Sequence, residues 1–281
     1  MARSLAGAEV VVHVLDGPRS PARFSRAVTN FVDVGVEQPQ ARMLDWLRSG
    51  PVPAVVLPGS DEGVELIARN RGQLEQLGYL PVEGDDQALL KMLDKAQTYE
   101  LARRHGIAVP RIVHLRTAEE VEAAVAELEF PCVLKPAQSH LFARKVAPVK
   151  VQFVNSAAEL RRELDTLRAL DVEAFVTEVI VGASDEFVSY YGYLDHDGSS
   201  LVSFTKRKLR QNPPGFGIGT YHETTDDAAV SEVGLRFLQA AGIRGLGNVE
   251  FKRDAEDGEL KLIDCNPRCT LSNELARRSG V

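Results

Sequence analysis

The stretch that most constrains this chain lies near its C-terminal end. Two apolar-rich runs, Gly247-Asn248-Val249-Glu250-Phe251-Lys252 and Leu262-Ile263-Asp264-Cys265-Asn266-Pro267-Arg268, flank Glu256-Asp257-Gly258. This pattern predicts a β-hairpin with a three-residue loop whose last residue takes positive φ, the place for glycine. In that register Glu250 lies directly opposite Asp264. Side chains alternate along a strand, so Asn266 joins the two carboxylates on one face, while Val249, Phe251, Ile263 and Cys265 point to the other. Like charges directly opposite one another destabilise a sheet, and a cation held between them reverses that penalty. Two carboxylates and an amide oxygen are hard ligands suited to Mg²⁺, which typically shares them with phosphates. Arg268, just beyond, is a fork suited to phosphate oxygens. The plain alternative is a hairpin with a solvated acidic face.

The remaining composition narrows the classes. With 281 residues the chain has room for two or three compact units. A net charge of -7 argues against a nucleic-acid binder that works by broad electrostatics. Three cysteines, Cys132, Cys265 and Cys269, are too few and odd in number for a disulfide framework, which points to a reducing cytoplasm. Cys265 and Cys269 have no nearby cysteine or histidine to complete a zinc site, so core thiols are the expectation. No run approaches a membrane span. Glu9 and His13 interrupt the apolar stretch at the N-terminus, so it does not read as a signal peptide.

Residues 1 to about 90 alternate strand-like and helix-like patterns. Strands are expected at 9–15, 30–34 and 53–59, and helices at 40–48 and 63–77. This rhythm implies a small parallel sheet with covering helices. No GxGxxG follows the first strand, so a dinucleotide site is unsupported there. Next comes a helix over 94–105, with Asp94 as N-cap and Gly106 just past its end. Further helices are expected at 118–128, 157–170 and 230–241, and strands at 130–136, 150–154 and 174–182. Residues 186–194 and 201–206 straddle Asp195-His196-Asp197-Gly198-Ser199, a hairpin signal. Ser272 is placed to cap a last helix.

Lys135 at a strand end and Glu178 in a later strand are weak signals alone. Their order raises them: the Lys135 strand, then the Glu178 strand leading into a Gly-containing acidic loop, then the carboxylate hairpin ending in Asn266-Pro267-Arg268. In this the chain resembles the ATP-grasp superfamily, and within it the bacterial carboxylate–amine ligase branch that includes D-aspartate ligase-type enzymes. The resemblance covers nearly the whole chain. Its most specific pieces are Leu93-Asp94-Lys95, Phe130 to Pro136 with Ser139-His140, Arg207-Lys208-Leu209-Arg210-Gln211, and Ile263 to Arg268.

The resemblance implies an α/β (α+β) ATP-grasp fold. A Rossmann-like pre-ATP-grasp domain is expected at 1–92, a small lid subdomain at 93–182 and a large catalytic subdomain at 183–281. The first domain lacks the family's opening strand and Gly-rich turn, and the chain stops soon after Arg268, so a piece of a longer protein is the expectation. By resemblance Lys95, Lys135 and Ser139 contact ATP, with Lys135 also near the adenine. Glu178 opens a hinge whose Val179 and Ile180 backbone reads adenine, and Asp185 or Glu186 holds the ribose. Glu250, Asp264 and Asn266 bind Mg²⁺, with Mn²⁺ as a substitute. Asp264 stands where Glu is commoner, one methylene shorter but the same ligand type. Arg268, Lys135 and Arg207 are the expected catalytic cations around the transferred phosphoryl group.

Two basic segments carry separate expectations. Residues 137–149 hold Ser139, His140, Arg144 and Lys145 without a glycine, and fall where the family places a mobile loop over the phosphates. Thr205 to Arg210 is a basic run in an acidic protein, so an anionic partner is expected, either ATP phosphate (through Lys206) or a substrate carboxylate. In a strand Arg207 would face away from Lys206 and Lys208. His222 is expected to be a hydrogen-bonding surface histidine. The implied activity is ATP- and Mg²⁺-dependent joining of a carboxylate, amino-acid-like, to an amine through an acyl phosphate, by a cytoplasmic enzyme and candidate homodimer. The alternatives are a non-catalytic ATP binder and a bicarbonate-using carboxylase or carbamoyl-phosphate-type enzyme.

Overall fold

The computed structural model describes residues 1–115, 117–137, 152–214 and 217–280. The basic segment carrying Ser139, His140, Arg144 and Lys145 lies outside the described residues.

The N-terminal part holds two separate parallel strand pairs where the sequence predicted one small sheet. β1 (His13–Asp16) pairs with β2 (Asn30–Asp33), and β3 (Ala54–Val56) with β4 (Tyr79–Pro81). The expected first strand is shorter than its β-branched run. Val10 and Val11 are 53% and 67% exposed, so nothing packs on them to extend the ladder. Between the strands lie α1 (Pro39–Leu47) and α2 (Asp61–Gln76). The Ser60 side chain caps α2 by accepting from the Gly63 N–H, and Asp61 and Glu62 sit in its first turn, where the helix dipole favours carboxylates. Its buried Ile67 and Leu74 meet Leu47 and Tyr79 in a local core.

α3 (Asp86–Met92) and α4 (Lys95–Arg104) follow. Asp94 caps α4 as predicted, its carboxylate accepting from the Gln97 N–H at 3.0 Å, and Gly106 leaves it at φ +65°. A four-stranded antiparallel sheet comes next, in the order β5-β8-β6-β7. It is built from β5 (Ile112–His114), β6 (Cys132–Pro136), β7 (Gln152–Val154) and β8 (Ala174–Glu178). It packs against α5 (Ala118–Glu127) and α6 (Ala157–Ala169) through Leu134, Leu160, Leu164 and Val176.

The large sheet is antiparallel throughout, in the order β11-β10-β9-β12-β13. Its strands are β9 (Phe187–Leu194), β10 (Ser200–Asn212), β11 (Ile218–Thr225), β12 (Gly245–Arg253) and β13 (Leu260–Asn266). α7 (Ala228–Ala240) lies on it closely, because a Cβ at Gly234 would stand 2.2 Å from the Tyr190 Cβ. β10 runs six residues past the predicted 201–206, so the basic run is the interior of a long strand paired with a β11 that the sequence did not announce. A short α8 (Asn273–Arg278) ends the described chain. Ser272 occupies its N-cap position without a capping bond, and the Asn273 amide oxygen instead accepts from the Thr270 N–H at 2.8 Å. The main core joins Tyr99 and Ala102 of α4 to Val249, Phe251 and Leu262 of the hairpin, which ties α4 to the large sheet.

The β12–β13 hairpin reaches the predicted register by a different route. Asp254 and Glu259 still pair, with the Asp254 N–H donating to the Glu259 carbonyl, so the loop is the four residues 255–258, with Gly258 at φ +75°. That one-residue offset is cancelled by a bulge between the Glu250↔Asp264 and Phe251↔Leu262 pairs, which leaves Ile263 unpaired. Glu250 therefore faces Asp264 as expected. Val249, Phe251 and Cys265 point into the core, but the bulge turns Ile263 the other way, into the cavity described next.

Candidate active site

A cavity of about 480 Å³ opens between the two antiparallel sheets, within the range of ligand sites. Its walls carry two kinds of surface. Pro110, Val133, Phe153, Ile180 and Phe187 make an apolar slot. A second part is charged: Lys95, Lys135, Lys206, Lys208, Lys252 and Arg268 line it together with Glu178, Glu250 and Asp264.

Each of the two facing carboxylates has a lysine on it. The Lys95 ammonium, at the start of α4, binds Asp264. Lys208, in mid-β10, reaches both Glu250 oxygens at 3.2 and 3.3 Å. Asn266 presents its amide oxygen to the Arg268 guanidinium at 2.7 Å. Arg268 is held on its other side by Asp61 of α2 at 2.6 Å. The three expected metal ligands thus share one strand-pair face, and all three offer oxygen. Among the described residues no group of three or more His, Cys, Asp or Glu side chains is placed to hold a metal. A hard cation here would rest on two carboxylates and an amide, the donors Mg²⁺ accepts, and the like-charged pair facing each other across the ladder fits such an ion.

Lys135 ends β6 inside the protein. It donates to the Tyr99 hydroxyl at 3.0 Å, and Tyr99 in turn donates to the Ile263 carbonyl at 2.8 Å. Burial pushes the Lys135 ammonium down to about 7, helped by Lys95 and opposed by Asp264 and Glu250. Burial likewise brings Lys206 down to about 8. Both are cations kept short of compensation, which an anion entering the cavity would provide. Tyr99 is raised by burial and then by the charges of Asp264 and Glu250, so it remains a neutral donor.

The segment expected to form the hinge is held by polar contacts. Glu178 lines the cavity and is held at 3.2 Å by Lys261, which also binds Asp254 at 2.5 Å. The Ile180 carbonyl accepts from the Lys252 ammonium at 2.7 Å, and the Gly182 carbonyl accepts from it at 3.1 Å. Lys252 and Lys208 lie 5.2 and 4.3 Å from the Phe187 ring centre.

Several expected residues are elsewhere. Arg207 points away from the cavity and pairs with Glu223 at 2.5 Å, because strand alternation sends it opposite to the buried Lys206 and Lys208. Val179 is not part of the cavity wall, and neither is Asp185 or Glu186. Those two carboxylates lie in a 3₁₀ turn, with Glu186 3.9 Å from Arg253. Ser139 lies outside the described residues. Conversely, the sequence reading missed Tyr99, Lys252, Asp61 and the placing of His222. Tyr99 is four residues after Lys95 on a helix, and Lys252 two after Glu250 on a strand, so both share a face with a predicted residue. His222 is half-buried in the cavity wall rather than on the surface, and no local pattern signals it.

No family model matches the chain. The D-alanine–D-alanine ligase of Xanthomonas axonopodis is 26% identical over 247 residues, covering 79% of this chain and 70% of that enzyme. Biotin carboxylase from Campylobacter jejuni, solved with a β,γ-ATP ligand, superposes with a TM-score of 0.74 at 14% identity, over all of this chain and 65% of its own. The dimeric biotin carboxylase domain of Hydrogenobacter thermophilus 2-oxoglutarate carboxylase, in complex with MgADP and bicarbonate, superposes at 0.68 and 15% identity, over 97% of this chain and 62% of its own. The chain thus spans just under two thirds of each of these two structures. With two antiparallel sheets closing on a lysine-lined cavity whose floor is a carboxylate hairpin, and with these likenesses, the chain has the ATP-grasp fold and is similar in sequence to a carboxylate–amine ligase.

Proposed function

We propose that this chain is an ADP-forming ligase that joins a carboxylate, of amino-acid type, to an amine through an acyl phosphate. The observation that carries this reading is the facing pair Glu250 and Asp264, each already held by a lysine, in one cavity with Lys135 and Arg268. Phosphoryl transfer needs little covalent help from a protein. It needs positioning and electrostatic stabilisation. Mg²⁺ on Glu250, Asp264 and Asn266 would neutralise phosphate charge, and Mn²⁺ suits the same oxygen donors.

The chain's own residues do the rest. The slot of Val133, Phe153, Ile180 and Phe187 takes the adenine, with Glu178 at its edge. Lys95, Lys135 and Lys206 hold the phosphates. Arg268, fixed between Asp61 and Asn266, stands where charge develops as the γ-phosphoryl group passes to the acid's carboxylate oxygen. The incoming amine then attacks the acyl carbon and the phosphate leaves. We assign 1–92 to a pre-ATP-grasp domain, 93–182 to the smaller subdomain and 183–281 to the larger. Three buried, unpaired cysteines suit a reducing cytoplasm, and a homodimer is the proposed assembly, by analogy with the dimer noted above.

Calorimetric titration of Mg²⁺-ATP, with and without Glu250→Ala/Asp264→Ala, tests the site. Binding that requires magnesium and disappears in the double variant supports it. An ADP-release screen over acid and amine pairs tests the activity. ADP release driven by bicarbonate alone would favour a carboxylase-type reaction, and binding without release for any pair would favour a non-catalytic nucleotide binder.

A further inference from the structure

The ligase reading leaves one proton unassigned. An amino group is mostly an ammonium at neutral pH, and an ammonium has no lone pair with which to attack an acyl phosphate. Some group beside the acyl carbon must take that proton. Of the cavity's carboxylates, Glu250 and Asp264 are held by lysines and are the candidate metal ligands, and Glu178 is held by Lys261; with Lys135 and Lys206 assigned to the phosphates, His222 is the remaining neutral acceptor in the described wall.

His222 is placed for the task by the β10–β11 ladder. It pairs with Lys208 across the strands, directly behind the ammonium that binds Glu250. Its imidazole folds back along β11 over Gly219: a Cβ there would stand 2.2 Å from His222 Nε2. Only a glycine leaves room for the ring, and the Gly219 backbone bonds to it. Nδ1 is buried, and no hydrogen-bond partner meets it among the described residues. A buried ring nitrogen without a partner is uncommon in a folded protein. Burial, then Lys206, then Lys208 hold the imidazole below its ordinary value, with the Gly219 backbone and Glu250 opposing, so at neutral pH it is unprotonated. Beyond Lys206, Lys208 and Glu250, the described residues of the wall on this side, Pro213, Pro214, Ile218 and Gly219, have no titratable side chain.

We infer that His222 is a catalytic residue of the second half-reaction, accepting a proton from the attacking ammonium. The step balances. The N–H electron pair stays on nitrogen as the first proton passes to the His222 imidazole; nitrogen then bonds to the acyl carbon, the carbon–oxygen bond to phosphate breaks, and the second amine proton leaves with the phosphate, released as HPO4²⁻. The inference rests on the ligase reading and adds to it one residue that the first half-reaction does not need.

Hydroxylamine separates the two halves, because it is already unprotonated at neutral pH and traps an acyl phosphate as a hydroxamate without a base. The full chain is incubated with Mg²⁺-ATP and a panel of D- and L-amino acids and short carboxylic acids, with either hydroxylamine or the same amino acids as nucleophile. His222→Asn is compared with Gly219→Ala, which keeps the imidazole but displaces it. Both variants should lose about 100-fold or more of amide formation while hydroxamate formation persists, and the acid limb of the wild-type pH profile for amide should vanish in His222→Asn. Amide and hydroxamate falling together, or amide formation unchanged, would overturn the inference and leave the ligase reading standing. No hydroxamate from the wild-type chain with any acid would overturn both.

Discussion

Lys135 is an ammonium whose neighbours are a tyrosine hydroxyl at 3.0 Å and a second lysine, and its charge is weakened accordingly, to about 7. Its folded value lies below the unfolded one, so between about 7 and the ordinary lysine range the unfolded chain binds more protons. This group's contribution to stability therefore improves as pH rises across that window, and is lost as pH falls through about 7. A bound triphosphate reverses the preference by favouring the cation. Nucleotide binding at pH 8 should take up protons, and affinity should fall as pH rises from 7 to 9. Calorimetry in buffers of different ionisation enthalpy measures this directly. A proton count of zero at pH 8 in the wild-type chain, equal to that of Lys135→Met, would exclude Lys135 from the phosphate site. The sequence showed this lysine at a strand end, but not its burial, because burial is supplied by α4 and Tyr99 from 36 residues away.

At the scale of the element, the hairpin is the instructive case. Alternation and a glycine turn were enough to set Glu250 opposite Asp264. They were not enough to show that a longer loop and a bulge offset each other. A one-residue slip would send every side chain of β13 to the other face, so the bulge at Ile263 is what keeps Asp264 in the cavity. Deleting Ile263 should abolish magnesium-dependent nucleotide binding while circular dichroism stays native-like. Gly258→Ala, at φ +75° in the loop, should cost about 1 kcal/mol in denaturant unfolding and leave binding intact. The long β10 and its partner β11 were illegible for a related reason. A basic run interrupts the apolar alternation by which strands are recognised, and its lysines are interior only because Glu250 and the cavity lie on that side. The same alternation, applied strictly, already argued against Arg207.

Across the whole molecule, the N-terminal part was the least legible. Its strands are three or four residues long, and their pairing into two separate sheets depends on packing rather than on pattern. Its link to the site is specific all the same. Asp61 binds Arg268, and the Cys269 N–H donates to the Pro58 carbonyl at 3.2 Å. Asp61→Ala should lower the thermal midpoint by an amount equivalent to about 1–2 kcal/mol and reduce the rate of ADP formation at saturating ATP more than the affinity for ATP. An unchanged rate would show that Arg268 holds its place without that contact.

The pairing of Lys95 with Asp264 and of Lys208 with Glu250 carries a consequence for the order of events. Each lysine is the counter-ion of a carboxylate and also lines the cavity proposed to take the phosphates. In the proposed reaction, a divalent ion on the carboxylates would free two ammonium groups for an arriving polyanion. Metal and nucleotide would then raise one another's affinity by the same factor, since such coupling is reciprocal. On that reading the site would exchange its internal cations for an external one, and load the two ligands as a single ionic unit.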